Sequence, residues 1–538
     1  MSRSPYDKIH RRFGQTLPES EISARSGKLI DDLDQNISSA HIVFPTCEAL
    51  KKTRVAIVGG GFAGMMAAWS LCQRANEIEV VVFEAGKDVG GRVRSNTEFT
   101  NGSVIEFGAE LVGANHPTWL RLATDLGVAL MTRTGEDHYA LFGLEMKHRI
   151  DGKDIDPKIG KQLEEEMKKI LVAIGKEANQ IGDSAKPWLR ADNRKLDDMS
   201  VLDKLTGHPP DVPNGLGLSK DKLVFKEIKL LLENNLVTPL AQINYLGLLC
   251  LVKAHRFGSD DQELMGFWEQ TEAFRCSDGC QSLVRAMAAR LADKKHYKFT
   301  LLSNTPVKEI VFDLTAPIKP RPAALKWERS AATSGVNSNF DYVILAVPPS
   351  VWDEIRITPQ HPKDTIGSIQ MGPAVKFFSN LDKRFWFDEK AAPSGISSDI
   401  GMIWEATDNQ MLIGKQEAVL AVFAGGLAKT GRVLTEHDFK TGLKSLYRGY
   451  DRSSRGKRPK LQNWSEEKFI LTGYSCPRPG HIFKAAAQLQ GSFLNGRLFL
   501  AGEYTQTNFF GFMEGALRSG RRVADAVIAE VCPPTSTV

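Results

Sequence analysis

Cysteine is scarce in this chain. There are seven among 538 residues, a sparse and odd-numbered set that suits reduced thiols better than a cross-linked secreted framework. No apolar run approaches the roughly 18–20 residues needed to cross a bilayer, so no membrane partner is expected. The N-terminal stretch MSRSPYDKIHRRFG is positively charged but has no apolar segment behind it, which predicts a cytoplasmic rather than a secreted protein. An excess of one charge sign is also lacking. Lys plus Arg number 69 against 64 Asp plus Glu, a formal +5, too little over so large a surface to mark a nucleic-acid partner. Glycine (46) and proline (25) stay near average usage, which excludes collagen-like and low-complexity classes. What is present is ordinary globular composition, 42% hydrophobic and 25% charged, at a length that admits roughly two to four domains.

Residues 1–51 are polar and lack periodicity, and they read as an N-terminal extension. From residue 54 the pattern changes. RVAIVGGGFAGMMAAWSLCQRA is a buried strand, a Gly-rich turn and a small-residue helix, and EVVVFEAG adds a second strand ending in Glu84. Within it, Gly59 permits a tight turn, Gly61 lets backbone approach a diphosphate, and Gly64 lets the helix pack closely on the strand. Glu84, twenty residues after Gly64, is placed to accept hydrogen bonds from the two hydroxyls of an adenosine ribose. A lone GxGxxG is often only a structural turn. The complete strand–helix–strand–acid order points instead to a dinucleotide, and the charge of Glu84 disfavours a 2′-phosphate.

Further along, KDVGGRVRS carries Asp88, Gly90, Gly91, Arg92 and Arg94, where consecutive glycines and an arginine can meet a second phosphate or an isoalloxazine edge. Residues 151–295 read as mostly helical and 296–425 as mostly strand. Cys276 and Cys280 lack a second Cys or His pair at ligand spacing, so no metal site is expected.

In their order, these motifs resemble the flavin amine oxidase family, and among its members the microbial and fungal L-amino acid oxidases. The resemblance runs from about 54 to 530. It implies an α/β fold, an FAD-binding Rossmann-like domain interleaved with a mixed helical and β-sheet substrate domain. The FAD domain is expected over 52–115, 272–350 and 465–538, and the substrate domain over 116–271 and 351–464. The resemblance further implies cofactor contacts from Gly91, Arg92 and Val307 and, in LAGEYT and GFMEGA, from Gly502, Glu503 and Met513. Lys376 in GPAVKFF matches the lysine that holds a water near flavin N5. Tyr474 and Phe512 match the two rings of an aromatic cage that fits an amine. Trp464 matches a residue lining the flavin face. Gly473 stands where some members carry a flavin-linking cysteine, so the FAD is expected to be non-covalent.

The implied reaction is oxidative deamination of L-amino acids to 2-oxo acids, with ammonia and H2O2 released and O2 as oxidant. The alternative is a mono- or polyamine oxidase acting without a substrate carboxylate. The segment FGAELVGANHPTW departs from one branch of the family, because Leu111 stands where that branch has a carboxylate-binding arginine. Arg256 is a weaker candidate for that role. Glu110, Leu111 and Glu405 are expected at the substrate, the two acids facing a cationic side chain. Homo-oligomers are common in the family.

Overall fold

A computed structural model describes residues 52–531 apart from 75–76, 101, 135–138, 140, 142, 210–211, 213, 256–265, 294–296, 315–322, 331–332, 411–416 and 426–433. The expected N-terminal extension and Arg256 therefore lie outside the described residues.

The short apolar runs TRVAIV, IEVVVF and YVIL are flanked by helical segments and build a sheet covered on both faces. Its strand order is Lys298–Leu302, Ile78–Phe83, Thr53–Val58, Tyr342–Leu345, Leu498–Leu500 and Ser492–Phe493. The first five strands run parallel and the last is antiparallel. Strand alternation separates two cores. Val55, Ile57, Val80, Val82 and Ile344 pack with the helices Phe62–Arg74, Gln281–Asp293 and Met513–Val531. Ala56, Val58, Val81, Phe83 and Val343 face a four-stranded sheet containing Val307–Phe312. The first and last helices cross closely at Gly520, where a Cβ would lie 2.2 Å from the carbonyl oxygen of Ala63.

A second, seven-stranded sheet runs in the order Lys460–Asn463, Val375–Leu381, Ala418–Phe423, Gly401–Glu405, Ala391–Ser397, Glu145–Ile150 and Lys153–Asp154. The last of these strands falls inside the stretch 151–295 that sequence assigns mostly to helix, and the one before it abuts that stretch. EMKHRI is too polar to read as a buried strand, yet it pairs in parallel with Ala391–Ser397. Arg356–Thr358 crosses the expected boundary at 350 to pair with Val307–Phe312. The helices Pro157–Ala178, Leu223–Asn235 and Tyr245–Ala254 share one further core. Among the described residues, no helix is long and apolar enough to cross a membrane.

Candidate active site

One cavity of about 1340 Å³ extends from the Gly-rich turn to the seven-stranded sheet. It is lined by Gly59, Gly61, Glu84, Gly91, Arg92, Val307, Gly502, Glu503 and Met513 at one side, and by Glu110, Leu111, Lys376, Trp464, Tyr474 and Phe512 further in. Gly64 lies behind this wall, where a Cβ would stand 1.9 Å from the Gly59 carbonyl oxygen and push helix and strand apart. Gly61 is the opposite case. A Cβ there would meet nothing nearer than Gly90 O at 3.9 Å, because the position faces a cradle that it shares with Gly91. Backbone can thus reach a diphosphate here, next to the N-terminus of the helix Phe62–Arg74. The Glu84 carboxylate accepts from Gly60 N and Gly86 N, both at 2.6 Å. Burial raises its pKa and the two N–H bonds pull in the opposite direction.

Arg92 and Glu503 join the two ends of the chain. Arg92 Nη1 donates to Glu503 Oε1 (2.8 Å) and to the Gly473 carbonyl (2.7 Å). Glu503 Oε2 accepts from the Ser475 hydroxyl (2.6 Å) and from Gly511 N (2.7 Å), so one carboxylate fixes the residue after Tyr474 and the turn before Phe512. Gly511 has φ 78° and lies against the Tyr474 ring, which brings the two aromatic side chains to the same wall. The Tyr474 hydroxyl donates to Asn235 O at 2.8 Å, and burial holds the phenol neutral by raising its pKa. Phe512 packs on His255 and His116. Burial pushes the His116 imidazole down to about 3, so it contributes no charge behind the wall. Position 473 has no room for a side chain, since a Cβ would lie 2.7 Å from Ala374 Cβ and 2.8 Å from Gly372 O.

Lys376 sits on Val375–Leu381, 8% exposed. Its ammonium donates to Glu106 O (3.1 Å), Gly108 O (2.9 Å) and Glu110 Oε2 (2.9 Å). Glu110 is held from its other side by Arg275 and by Trp404 Nε1 at 3.0 Å. Burial alone would raise the Glu110 pKa, but Arg275 and Lys376 outweigh it and keep the carboxyl below its ordinary value. Glu405 does not line the cavity, and its carboxylate meets Arg384 at 2.8 Å. Both acids are thus paired with internal cations. Trp464 donates to Phe107 O at 2.9 Å and packs over Gly108. The thiols of Cys276 and Cys280 are buried, near Ser282 Oγ (3.4 Å) and Glu110 O (3.2 Å) respectively.

Glu106, next to this cluster, accepts from Cys280 N (2.6 Å) and the Ser95 hydroxyl (2.8 Å). Burial pushes its carboxyl up to about 7 from an ordinary 4.5. The raised pKa contributes stability that is complete below the ordinary value and is lost as pH rises from 4.5 to 7. The loss is of the order of 3 kcal/mol. Glu106→Gln does not ionise, its amide oxygen can accept from Cys280 N and its NH2 can donate to the Ser95 oxygen, so its Tm should decline less than the parent's across that window. Parallel Tm–pH curves for the two proteins would contradict this.

Sequence reasoning missed the cavity residues Arg133, Glu272, His148 and Glu227. Arg133 follows the strand Leu130–Thr132, its N–H bonds Ala273 O at 2.9 Å, and its guanidinium lies 3.5 Å from Glu272. Leu111, Arg133 and Glu272 all line the cavity, beside a three-stranded sheet that contains Leu111–Val112, Phe274–Cys276 and Leu130–Thr132. His148 and Glu227 form a buried pair in the same cavity, with Nδ1 and Oε1 at 2.5 Å.

A family profile for flavin containing amine oxidoreductases matches residues 62–528. A probable flavin-containing monoamine oxidase A of Dictyostelium discoideum is 23% identical, over 88% of this chain and 97% of its own. An L-amino acid dehydrogenase of Synechocystis sp. is also 23% identical, over 88% of this chain and 94% of its own. A solved putrescine oxidase with putrescine bound superposes with a TM-score of 0.68 at 20% identity, covering 90% of this chain and 100% of that one, a likeness of fold. The profile covers most of both sheets and of the cavity lining, and the chain belongs to the family of flavin-containing amine oxidoreductases.

Proposed function

We propose that this enzyme oxidatively deaminates L-amino acids. Bound FAD would supply the two-electron oxidising chemistry, taking a hydride from the α-carbon, with O2 as the final oxidant and H2O2 as its product. The substrate amine, having lost a proton, becomes an imine, and water converts the imino acid to a 2-oxo acid and ammonia. Gly59, Gly61 and Gly91 would cradle the diphosphate and Glu84 the adenosine ribose, with Arg92, Val307, Gly502, Glu503 and Met513 along the rest of the cofactor. The cofactor and substrate halves would follow the two large sheets. Tyr474 and Phe512 orient the amine between their rings, and Trp464 closes the flavin face. Lys376 would hold the water near N5 by exchanging one of its three oxygen contacts.

The carboxylate half of this reading rests on Arg133. It brings a guanidinium, able to bind a carboxylate bidentately, to the wall where Leu111 supplies none, 3.5 Å from Glu272. Arg133→Met is expected to raise KM for L-phenylalanine about 10–100-fold, the worth of one charge-assisted hydrogen-bond pair, and to leave phenethylamine unaffected. Equal losses on both substrates would remove Arg133 from this role. A second reading, oxidation of amines without a carboxylate, is favoured by Leu111 and by relatives named as monoamine and putrescine oxidases.

A further inference from the structure

The helix Leu223–Asn235 turns one face toward the cavity, through Glu227, Leu231 and Asn235. At its inner end the Asn235 carbonyl fixes the Tyr474 hydroxyl at 2.8 Å. Eight residues further back, about 12 Å along the axis, stands Glu227. Glu227 is 4% exposed and interrupts an apolar stripe of Val224, Ile228 and Leu232. Its Oε1 meets His148 Nδ1 at 2.5 Å. Its Oε2 is buried and has no hydrogen-bond partner among the described residues. An ionised oxygen left in that condition is costly, and a cation is the partner that would relieve it. Glu164 adds a second carboxylate to the same part of the cavity, 3.9 Å from His148 Nε2, so the end of the cavity is acidic. Met146, Met167 and Leu231 line it as well, a surface for a methylene chain between the two ends.

We infer that Glu227 Oε2 is a binding subsite for a distal cationic group of the substrate, an ammonium or a guanidinium at the end of an unbranched chain. The inference rests on the proposed amine oxidation only for the position of the reacting end. Glu110 and Glu405, which sequence offers for this role, are already paired with Lys376, Arg275 and Arg384, and Glu227 replaces them. His148 positions the carboxylate from the opposite side.

The test is anaerobic calorimetric binding to the holoenzyme with its flavin chemically reduced beforehand, so that no ligand is oxidised, using ligand pairs that differ in the distal charge. L-arginine against L-citrulline keeps the carboxylate, and 1,8-diaminooctane against octylamine lacks it. The cationic member of at least one pair should bind about tenfold or more tightly, and Glu227→Gln should bring that ratio close to one. A response in the diamine pair alone supports the subsite and fails the amino-acid reading. A response in the arginine pair supports both. Equal binding within both pairs in the parent enzyme overturns the subsite even if the variant does not fold, and means that Oε2 serves water alone.

Discussion

Gly61→Val should give a folded protein without flavin. The protein itself admits the side chain, since the nearest atom to a Cβ at 61 is Gly90 O at 3.9 Å. What the two added methyl groups would occupy is the cradle shared with Gly91. Losing two charge-assisted backbone bonds to the diphosphate costs about 3–6 kcal/mol, so FAD affinity should fall roughly 10²–10⁴-fold. The ratio of flavin to protein absorbance reads this directly, with circular dichroism as the control for folding. Gly64→Ala separates cradle from scaffold. Its Cβ would lie 1.9 Å from Gly59 O, so it should lower the Tm of the apoprotein, whereas Gly61→Val should not. A Gly61→Val protein that purifies with stoichiometric flavin would contradict the cofactor placement.

Lys376→Met should slow the reaction of the reduced enzyme with O2 about 10²-fold. The ammonium is buried, and its three N–H donors meet two carbonyls and Glu110, which fixes a positive charge at the cavity wall. Removing it withdraws both that charge and the group proposed to hold the water. Anaerobic reduction by substrate should change much less, because hydride transfer from the α-carbon asks nothing of this side chain. Glu110 would keep Arg275 and Trp404 but lose one of its two cations, so some stability should also be lost, of the order of 3 kcal/mol. Stopped-flow measurement of the two half-reactions separates these effects. An unchanged rate with O2 would remove Lys376 from the oxidative step.

The motifs assigned to the cofactor were legible because the chemistry proposed for them needs backbone. Gly59, Gly61 and Gly64 lie within six residues of one another; Gly59 and Gly64 leave no room for a Cβ, whereas Gly61 borders the open cradle. The residues proposed to surround the amine come from distant segments. Tyr474 meets Asn235 across 239 positions, and Arg92 meets Glu503 across 411, so motif order indicates that they belong together but not what they touch. Glu110 shows the limit of such reading. Its place beside Leu111 suggested a substrate contact, and only the fold reveals the buried Arg275 and Lys376 that neutralise it. Arg133 carried no signal, since an arginine after a three-residue strand is ordinarily solvated. Glu227 did carry one, as a carboxylate breaking the buried face of an amphipathic helix.

Whether the oxidised amine carries a carboxylate is read from peroxide release by the purified holoenzyme with L-phenylalanine and with phenethylamine. The two substrates share ring, chain length and amine, and differ only in the group assigned to Arg133. H2O2 is expected with L-phenylalanine, and little or none with phenethylamine. Turnover of phenethylamine without turnover of L-phenylalanine would contradict the amino-acid reading and establish the amine oxidase reading instead.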